Sequence, residues 1–163
     1  MLEDSIADAK MVQELLRKTK LHCEFSLAKD KEAYVLALDE FHPDVLLSDN
    51  SLPQFSAAEA LELSRRRVQH TPFIMVTNQD SEEFDTNIIQ LGADDYVLKD
   101  RLMRLPVAIE AALRNQKSEK DKLEAIEKLN LNEENYRTLV ERISDGFMAL
   151  DLNWRFTYVN RKA

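Results

Sequence analysis

Three short apolar runs, separated by segments with helical spacing, constrain the fold more than any other feature of this 163-residue chain. The runs are VLLS at 45–48, FIMV at 73–76 and YVL at 96–98. Runs of this length suit strands that are buried on both faces. Their alternation with helices is typical of a parallel sheet covered on both sides. The sequence therefore predicts an α/β fold with a doubly wound parallel sheet.

Amphipathic helices are predicted before and between these runs. Ser5, with Asp8 three residues later, resembles the capping box of a helix start. CEFSL at 23–27 alternates with strand period and places Cys23 inward. Gly92 is predicted to end a helix in the left-handed conformation. The residues at helical spacing form these predicted faces: Ala9, Val12, Leu15 and Leu16; Ala33, Leu36, Ala37 and Phe41; Ala57, Ala60, Leu61, Ser64 and Val68; and Phe84, Ile88 and Leu91.

Polar side chains stand at the carboxyl ends of the predicted strands. Asp49 follows the first run, Thr77 follows the second and Lys99 follows the third. Glu3 and Asp4 follow the short apolar pair that opens the chain. Ligands of parallel sheets bind where the carboxyl ends of the strands emerge. We therefore expect these side chains to meet at one edge of the sheet.

This set of groups suits the transfer of a phosphoryl group to a carboxylate. Clustered carboxylates repel one another and bind a hard divalent cation such as Mg²⁺. A carboxylate can also act as a nucleophile and form an aspartyl phosphate. The phosphoryl group carries about two negative charges, which a metal and a cation must offset. Lys99 supplies the cation, and Thr77 supplies a hydroxyl for one phosphoryl oxygen.

The stretches EDS, LLSDNSLP, IMVTN and YVLKD, in that order and at these intervals, resemble the receiver domain of bacterial two-component response regulators. The resemblance covers residues 1–115 and implies a flavodoxin-like fold. It implies that Asp49 accepts a phosphoryl group from a histidine kinase or a phosphotransfer protein. Thr77 and Lys99 would contact the phosphoryl oxygens. Tyr96 would be an aromatic switch that turns inward when Thr77 moves toward the phosphate.

The same resemblance implies a Mg²⁺ site. Asp4 and Asp49 would bind the metal directly, and the carbonyl oxygen of Ser51 would be a further ligand. Glu3 would act mostly through water. Ser51 and Gln79 would flank the path of the water that hydrolyses the aspartyl phosphate.

The start of the chain departs from the family pattern. The family carries about five apolar residues before its acidic pair, whereas only Met1 and Leu2 stand here. That first strand is central in the sheet, so its loss would remove backbone partners from both neighbouring strands. We interpret the chain as an excerpt of a longer protein or as one with a misplaced start, and we expect it to be less stable than a chain with the full strand.

A long helix is predicted beyond the sheet. Residues 105–143 contain no glycine, and their single proline, Pro106, suits the first turn of a helix. Leu123, Ile126 and Asn130 keep heptad spacing, but the preceding positions of the same seam are polar. The sequence therefore leaves open a homodimer through the 106–143 helix and a solvated linker helix.

The end of the chain changes to strand patterns. GFMALDLNWRFTYVNRKA at 146–163 predicts a hairpin with strands at 147–150 and 155–159. Together with NYRTLVERI before it, this stretch resembles the opening of a PAS sensory domain. We therefore expect three parts: a receiver at 1–115, a helical linker at 116–134 and the amino-terminal fragment of a PAS domain at 135–163.

Composition excludes several classes of protein. Lys and Arg number 22 against 30 Asp and Glu, and the resulting net charge of −8 argues against nonspecific binding to nucleic acid or to anionic membranes. No apolar run approaches the ~18 residues of a membrane span. The single cysteine, Cys23, is predicted to be a small core residue, and the lack of a signal-peptide pattern favours the cytoplasm.

We expect a phosphorelay protein in which the receiver passes its signal through the helix to a PAS-containing module. The chain would belong to a response regulator or to a hybrid sensor histidine kinase, with no complete enzyme beyond Mg²⁺-dependent phosphorylation and dephosphorylation of Asp49. The alternative is a degenerate receiver that acts as a phosphorylation-independent interaction module. A dinucleotide enzyme is excluded because the chain has only two glycines.

Overall fold

A computed structural model describes most of the chain, which divides into two compact units, Met1–Lys117 and Ser118–Ala163. The described residues are 1–50, 52–53, 55–78, 89–141 and 146–160. In chain order the helices and strands are α1 (Ile6–Arg17), α2 (Lys31–Glu40), β1 (Leu46–Ser48), α3 (Ala57–Arg67), β2 (Phe73–Thr77), β3 (Asp95–Leu98), a 3₁₀ helix (Lys99–Arg104), α4 (Leu105–Glu141), β4 (Met148–Leu150) and β5 (Phe156–Val159).

The first unit is built on a parallel sheet in which β1 pairs with β2 and β2 pairs with β3. Alternate residues of β2 point to opposite faces of this sheet. Phe73 and Met75 join an apolar cluster with residues of α2 and α3, whereas Ile74 and Val76 join a cluster with α1 and the start of α4. The predicted α/β fold with a parallel sheet covered on both faces is confirmed.

The start of the chain occupies part of a further strand position. Leu2 forms parallel bridges with Ala28 on one side and with Ser48 on the other. Leu2 therefore keeps backbone partners on both sides. The predicted loss of partners concerns residues before these bridges, such as 23–27. The hydrogen bonds that hold the start run from the Leu2 amide to the Leu47 carbonyl (2.8 Å), from the Asp49 amide to the Leu2 carbonyl (2.9 Å), from the Glu3 amide to the Ala28 carbonyl (2.9 Å) and from the Ala28 amide to the Met1 carbonyl (2.8 Å).

A cavity of about 460 Å³ lies next to Met1, between the segment 21–26 and the residues that lead into β1. Side chains from α1, α2 and α4 line it, among them Leu16, Leu38 and Ile109. The ammonium group of Met1 donates a hydrogen bond to the Ser26 carbonyl at 2.7 Å. Burial lowers the pKa of this ammonium from 8.0 to about 6.

The strand predicted at 23–27 is wrong, since these residues form no ladder and pairing begins only at Ala28. Cys23 is exposed, so its predicted place in the core is also wrong. The physical reason is that Met1–Glu3 reaches only the end of this segment. A chain without a neighbour to accept and donate its backbone hydrogen bonds gains nothing from strand geometry.

The helices confirm part of the predicted faces. Ala9, Val12 and Leu16 of α1 are buried, as are Ala57, Ala60, Leu61 and Ser64 of α3. The face predicted for α2 is wrong at Leu36 and Phe41, which are 56% and 41% exposed, and right at Ala33, which packs against the core; Tyr34 and Leu38 are the buried residues. The helix predicted around 84–91 lies mostly outside the described residues. Gly92 has the predicted left-handed conformation, with φ of +104°.

The second unit contains most of the long predicted helix and an antiparallel hairpin of β4 and β5. The Asn160 side chain accepts a hydrogen bond from the Phe147 amide at 2.9 Å, and Phe147 accepts one from the Asn160 amide at 3.0 Å. At the turn, the Asp151 carboxylate accepts hydrogen bonds from the amides of Asn153 and Arg155. The predicted antiparallel pairing of these strands is confirmed. No helix in the described parts of the chain is long and apolar enough to cross a membrane.

Candidate functional site

Four of the predicted side chains stand at one edge of the sheet because each follows the carboxyl end of a strand or bridge. Asp49 follows β1, Thr77 ends β2 and Lys99 follows β3. Glu3 follows the bridge that Leu2 makes with both neighbours. All four residues are buried, with exposed fractions of 9% or less.

The Lys99 ammonium is the centre of this group. It lies 2.9 Å from Glu3 Oε2, 2.5 Å from Asp8 Oδ2 and 3.4 Å from Asp49 Oδ2. The Lys99 side chain is only 4% exposed. A buried ammonium requires such partners, because an unpaired charge in the interior is strongly unfavourable.

The surroundings in this pocket shift the pKa values of Glu3 and Lys99. Burial raises the pKa of Glu3, although hydrogen bonds from Lys99 and from the Ser5 amide act in the opposite direction. Burial alone would lower the pKa of Lys99. Hydrogen bonds to Asp8 and Glu3 and the charge of Asp49 outweigh that effect and raise the pKa of Lys99 above its ordinary value. Lys99 therefore stays charged at neutral pH.

Three carboxylates are close enough to share a cation. Glu3, Asp4 and Asp49 each offer one oxygen, and these oxygens lie within 4.8 Å of one another. Glu3 and Asp49 are buried, whereas Asp4 is exposed. An all-oxygen donor set with an open side fits a hard cation such as Mg²⁺, which keeps several waters. The predicted ligand Ser51 lies outside the described residues.

The two oxygens of Asp49 have different surroundings. Oδ1 accepts a hydrogen bond from the amide of Asn50 at 2.8 Å. Oδ2 faces the Lys99 ammonium at 3.4 Å. The backbone on one side and the ammonium on the other fix the orientation of this carboxylate.

The predicted switch residues lie on the two strands next to the pocket. Thr77 pairs with Leu98 across β2 and β3, and its side chain is fully buried. Tyr96 is half-buried and packs against the cluster formed with α2 and α3. The Tyr96 carbonyl accepts a hydrogen bond from Arg104 at 2.8 Å. The predicted residue Gln79 lies outside the described part of the chain.

Sequence reasoning missed the role of Asp8, which it interpreted only as part of a helix cap. The cap exists, because the Asp8 amide donates to Ser5 Oγ at 3.3 Å. The carboxylate of Asp8 also binds Lys99, across 91 positions of sequence. The available signal was its place in the first turn of a helix that begins directly after the acidic pair.

The family comparison agrees with this arrangement. The family model described as "Response regulator receiver domain" matches residues 1–110. Sensory transduction protein RegX3 of Mycobacterium tuberculosis is 37% identical over 113 residues, which are 69% of this chain and 48% of RegX3. The chain thus spans about half the length of this curated relative.

Solved structures share the fold. A two-component response regulator of the LuxR family from Aurantimonas sp. SI85-9A1 has a TM-score of 0.64 and 25% identity, over 70% of this chain and 82% of that one. The signal receiver domain of a histidine kinase from Syntrophus aciditrophicus has a TM-score of 0.60 and 20% identity, over 70% of this chain and 87% of that one. Because the family model covers residues 1–110 of 163, the chain belongs to the response regulator receiver domains of two-component signalling.

Proposed function

We propose that Asp49 accepts a phosphoryl group from a histidine kinase or a phosphotransfer protein. The observation that carries this proposal is the buried Lys99 ammonium, which faces Asp49 Oδ2 beside the group of three carboxylates. A phosphoryl oxygen attached at Asp49 would lie within reach of that ammonium. An ordinary strand end does not need this charge arrangement, because burying three ionisable groups, Glu3, Asp49 and Lys99, is costly.

In the proposed step Asp49 Oδ2 attacks the phosphorus atom. A bond forms between this oxygen and phosphorus while the bond from phosphorus to the donor breaks, and the donor leaves with the bonding electrons. Lys99 offsets negative charge on the phosphoryl oxygens, and the Thr77 hydroxyl donates to one of them. The Asn50 amide holds Oδ1 in place while Oδ2 reacts.

Glu3, Asp4 and Asp49 are the residues that would hold Mg²⁺. When bound there, the ion would supply positive charge next to the transferred group. The fit rests on the donor set, since hard carboxylate oxygens within 4.8 Å of one another are what this cation prefers. The carbonyl of Ser51 completes the proposed set.

We further propose that the signal leaves the receiver through α4. The proposed parts are the receiver at 1–115, a helical linker at 116–134 and the start of a PAS domain at 135–163. The support for this division is the unbroken helix Leu105–Glu141 and the hairpin that follows it. Tyr96 and Thr77 are the proposed switch between the pocket and the rest of the receiver.

Phosphorylation is tested by intact mass. Incubation of the chain with acetyl phosphate and Mg²⁺ should add one phosphoryl group, and omission of Mg²⁺ should reduce this strongly. Asp49→Asn is the control, because it removes the nucleophile and keeps the shape of the side chain. If Asp49→Asn gains the same mass as the parent chain, Asp49 is not the acceptor.

The second candidate is a degenerate receiver that binds a partner without phosphorylation. The observation that favours it is the cavity of about 460 Å³ next to Met1, whose lining includes the apolar side chains of Leu16, Leu38 and Ile109 and offers a place for a segment of a partner. Beryllofluoride with Mg²⁺ separates the two candidates, since it mimics the phosphoryl group without a chemical step. A folded chain that shows no response to beryllofluoride would support the degenerate receiver.

A further inference from the structure

Lys99 divides its ammonium group among three carboxylates. An ammonium has three protons to donate, and the described partners are Asp8 at 2.5 Å, Glu3 at 2.9 Å and Asp49 at 3.4 Å. Asp8 is the nearest of them and Asp49 is the farthest. In this arrangement the ammonium lies closer to Asp8 and Glu3 than to the proposed phosphoryl acceptor, Asp49.

The three partners differ in their access to water. The side chains of Glu3 and Asp49 are 4% and 7% exposed, whereas that of Asp8 is 28% exposed. A carboxylate that loses an ammonium partner must find another donor or lose free energy. Water can replace Lys99 at Asp8 more readily than at the two buried carboxylates.

The position of Asp8 is fixed by the backbone of α1. Its amide is capped by Ser5 Oγ at 3.3 Å, and the next residue, Ala9, donates to the Ser5 carbonyl at 3.0 Å. Because its backbone is held, the Asp8 carboxylate can follow Lys99 toward Asp49 only as far as its own two side-chain torsions allow. The contact between Asp8 and Lys99 is therefore made in the present position of the ammonium and weakened when the ammonium moves toward Asp49.

A phosphoryl group on Asp49 replaces the single negative charge of the carboxylate by about two, in a pocket where the described carboxylates already outnumber the one ammonium. Lys99 must approach more closely than its present 3.4 Å from Asp49 to donate hydrogen bonds to the phosphoryl oxygens, and of its other two partners Asp8 is the one that water can reach. We propose that Asp8 is a positioning residue that holds Lys99 in the unphosphorylated state and is exchanged for a phosphoryl oxygen. This inference rests on the proposed function of Asp49.

The test compares the affinity of beryllofluoride for the parent chain and for Asp8→Asn, at saturating Mg²⁺ and constant ionic strength. The variant replaces a charged acceptor by a neutral one of the same shape, which attracts the Lys99 ammonium less strongly. We expect Asp8→Asn to bind beryllofluoride about three- to tenfold more tightly, because Lys99 gives up a weaker contact when it moves to the bound ligand. The lifetime of the aspartyl phosphate should increase in the same variant.

Two further variants show whether the change in affinity comes from the charge of Asp8 itself. Glu14→Gln removes the same charge from an exposed position of α1 and should leave the affinity unchanged. Asp8→Glu keeps the charge and should return the affinity toward that of the parent chain. Thermal unfolding of each variant shows that the affinity is compared between folded proteins, and Asp8→Ala replaces Asp8→Asn if the latter does not fold.

The outcomes separate this inference from the function on which it rests. A parent chain that responds to beryllofluoride, with Asp8→Asn equal to it or weaker, would overturn the role of Asp8 and leave Asp49 as the acceptor. An equal gain in Glu14→Gln would show a general charge effect and would also overturn it. If no folded variant responds, the proposed function fails, and the role of Asp8 fails with it.

Discussion

The Lys99 ammonium forms ion pairs with carboxylates from three separate parts of the chain. Glu3 follows the first bridge of the sheet, Asp8 lies in α1 and Asp49 follows β1. None of these contacts is local, since Lys99 is 91 or more positions away from both Glu3 and Asp8. The pocket therefore exists only when the sheet and α1 are assembled, and its charges depend on the fold.

Removal of this ammonium should destabilise the first unit. In Lys99→Met the buried Glu3 carboxylate loses its partner, and breaking such a pair typically costs about 3–5 kcal/mol. The double variant Lys99→Met, Glu3→Gln should recover part of the loss, because the uncompensated charge is gone. Urea unfolding measures the free energy of unfolding of the single and the double variant. A double variant no more stable than Lys99→Met would contradict this account of the pair.

The buried ammonium of Met1 predicts a dependence of stability on pH. Its pKa is about 6 in the folded chain and 8.0 ordinarily, so the unfolded chain binds more protons between these values. Stability should therefore rise as the pH increases from 6 to 8, by roughly 2–3 kcal/mol from this group. Urea midpoints across this range measure the effect. Acetylation of the amino terminus removes the charge and should remove this contribution, and an unchanged slope would contradict the assignment.

At the scale of elements, the strand position that holds Met1–Glu3 is the place where we expect added residues to stabilise the sheet. Met1–Glu3 fills one end of a strand position, and the cavity of about 460 Å³ lies at the other end. An extended apolar segment added before Met1 should pair with the residues on both sides. It should also bury side chains among Leu16, Leu38 and Ile109.

Such an added strand of about five residues should stabilise the fold by several kcal/mol, since each buried Val or Leu contributes roughly 1.5–3 kcal/mol. The matched control is a Gly/Ser segment of the same length, which removes the terminal charge equally but buries no apolar surface. The urea midpoints of the two extended chains are compared, and the chain with the apolar segment should have the higher one. Equal midpoints would mean that the cavity does not accept a strand.

Elements with one strong pattern could be predicted from the sequence. The continuous apolar runs of β1, β2 and β3 have no competing interpretation, and α3 has a single apolar face and begins with a capping box of Ser56 and Glu59. The helix α2 offers two overlapping faces, one with Tyr34 and Leu38 and one with Leu36 and Phe41. The choice depends on a distant contact, because the Tyr34 hydroxyl donates to the Ala60 carbonyl of α3 at 3.2 Å.

The same limit applies to the candidate site. The strand ends that carry Asp49, Thr77 and Lys99 follow from chain topology, so their meeting could be predicted. Asp8 could not be placed in the pocket from its spacing alone, because the reach of its side chain depends on how α1 leaves the sheet. Long-range geometry, which local patterns do not encode, separates the residues that were found from the one that was missed.

At the scale of the whole molecule, α4 is long and mostly polar. Its 37 residues span about 55 Å at 1.5 Å per residue. Beyond the first unit it exposes apolar side chains, with Leu123 at 54%, Ile126 at 55% and Leu129 at 67%. Ile109, nearer the start of the same helix, is buried in the first unit and cannot contribute to a dimer.

We predict that this part of α4 mediates self-association, because pairing would bury the exposed apolar residues and leave Asn130 to favour one register. Sedimentation equilibrium of the intact chain should show a dimer at about 100 μM, a concentration that reveals micromolar affinities. A version ending at Arg114 is the matched control and should be a monomer. If the intact chain is also a monomer, α4 is a solvated linker.

The hairpin of the second unit carries the single tryptophan of the chain, Trp154, whose side chain is 81% exposed. An indole in water emits at longer wavelength than one in an apolar environment, so the fluorescence of this protein is a local signal from one turn. It should be insensitive to phosphorylation chemistry around Asp49 unless the hairpin itself responds. Any domain or partner that covers Trp154 should shift the emission to shorter wavelength, which gives the hairpin its own optical reporter.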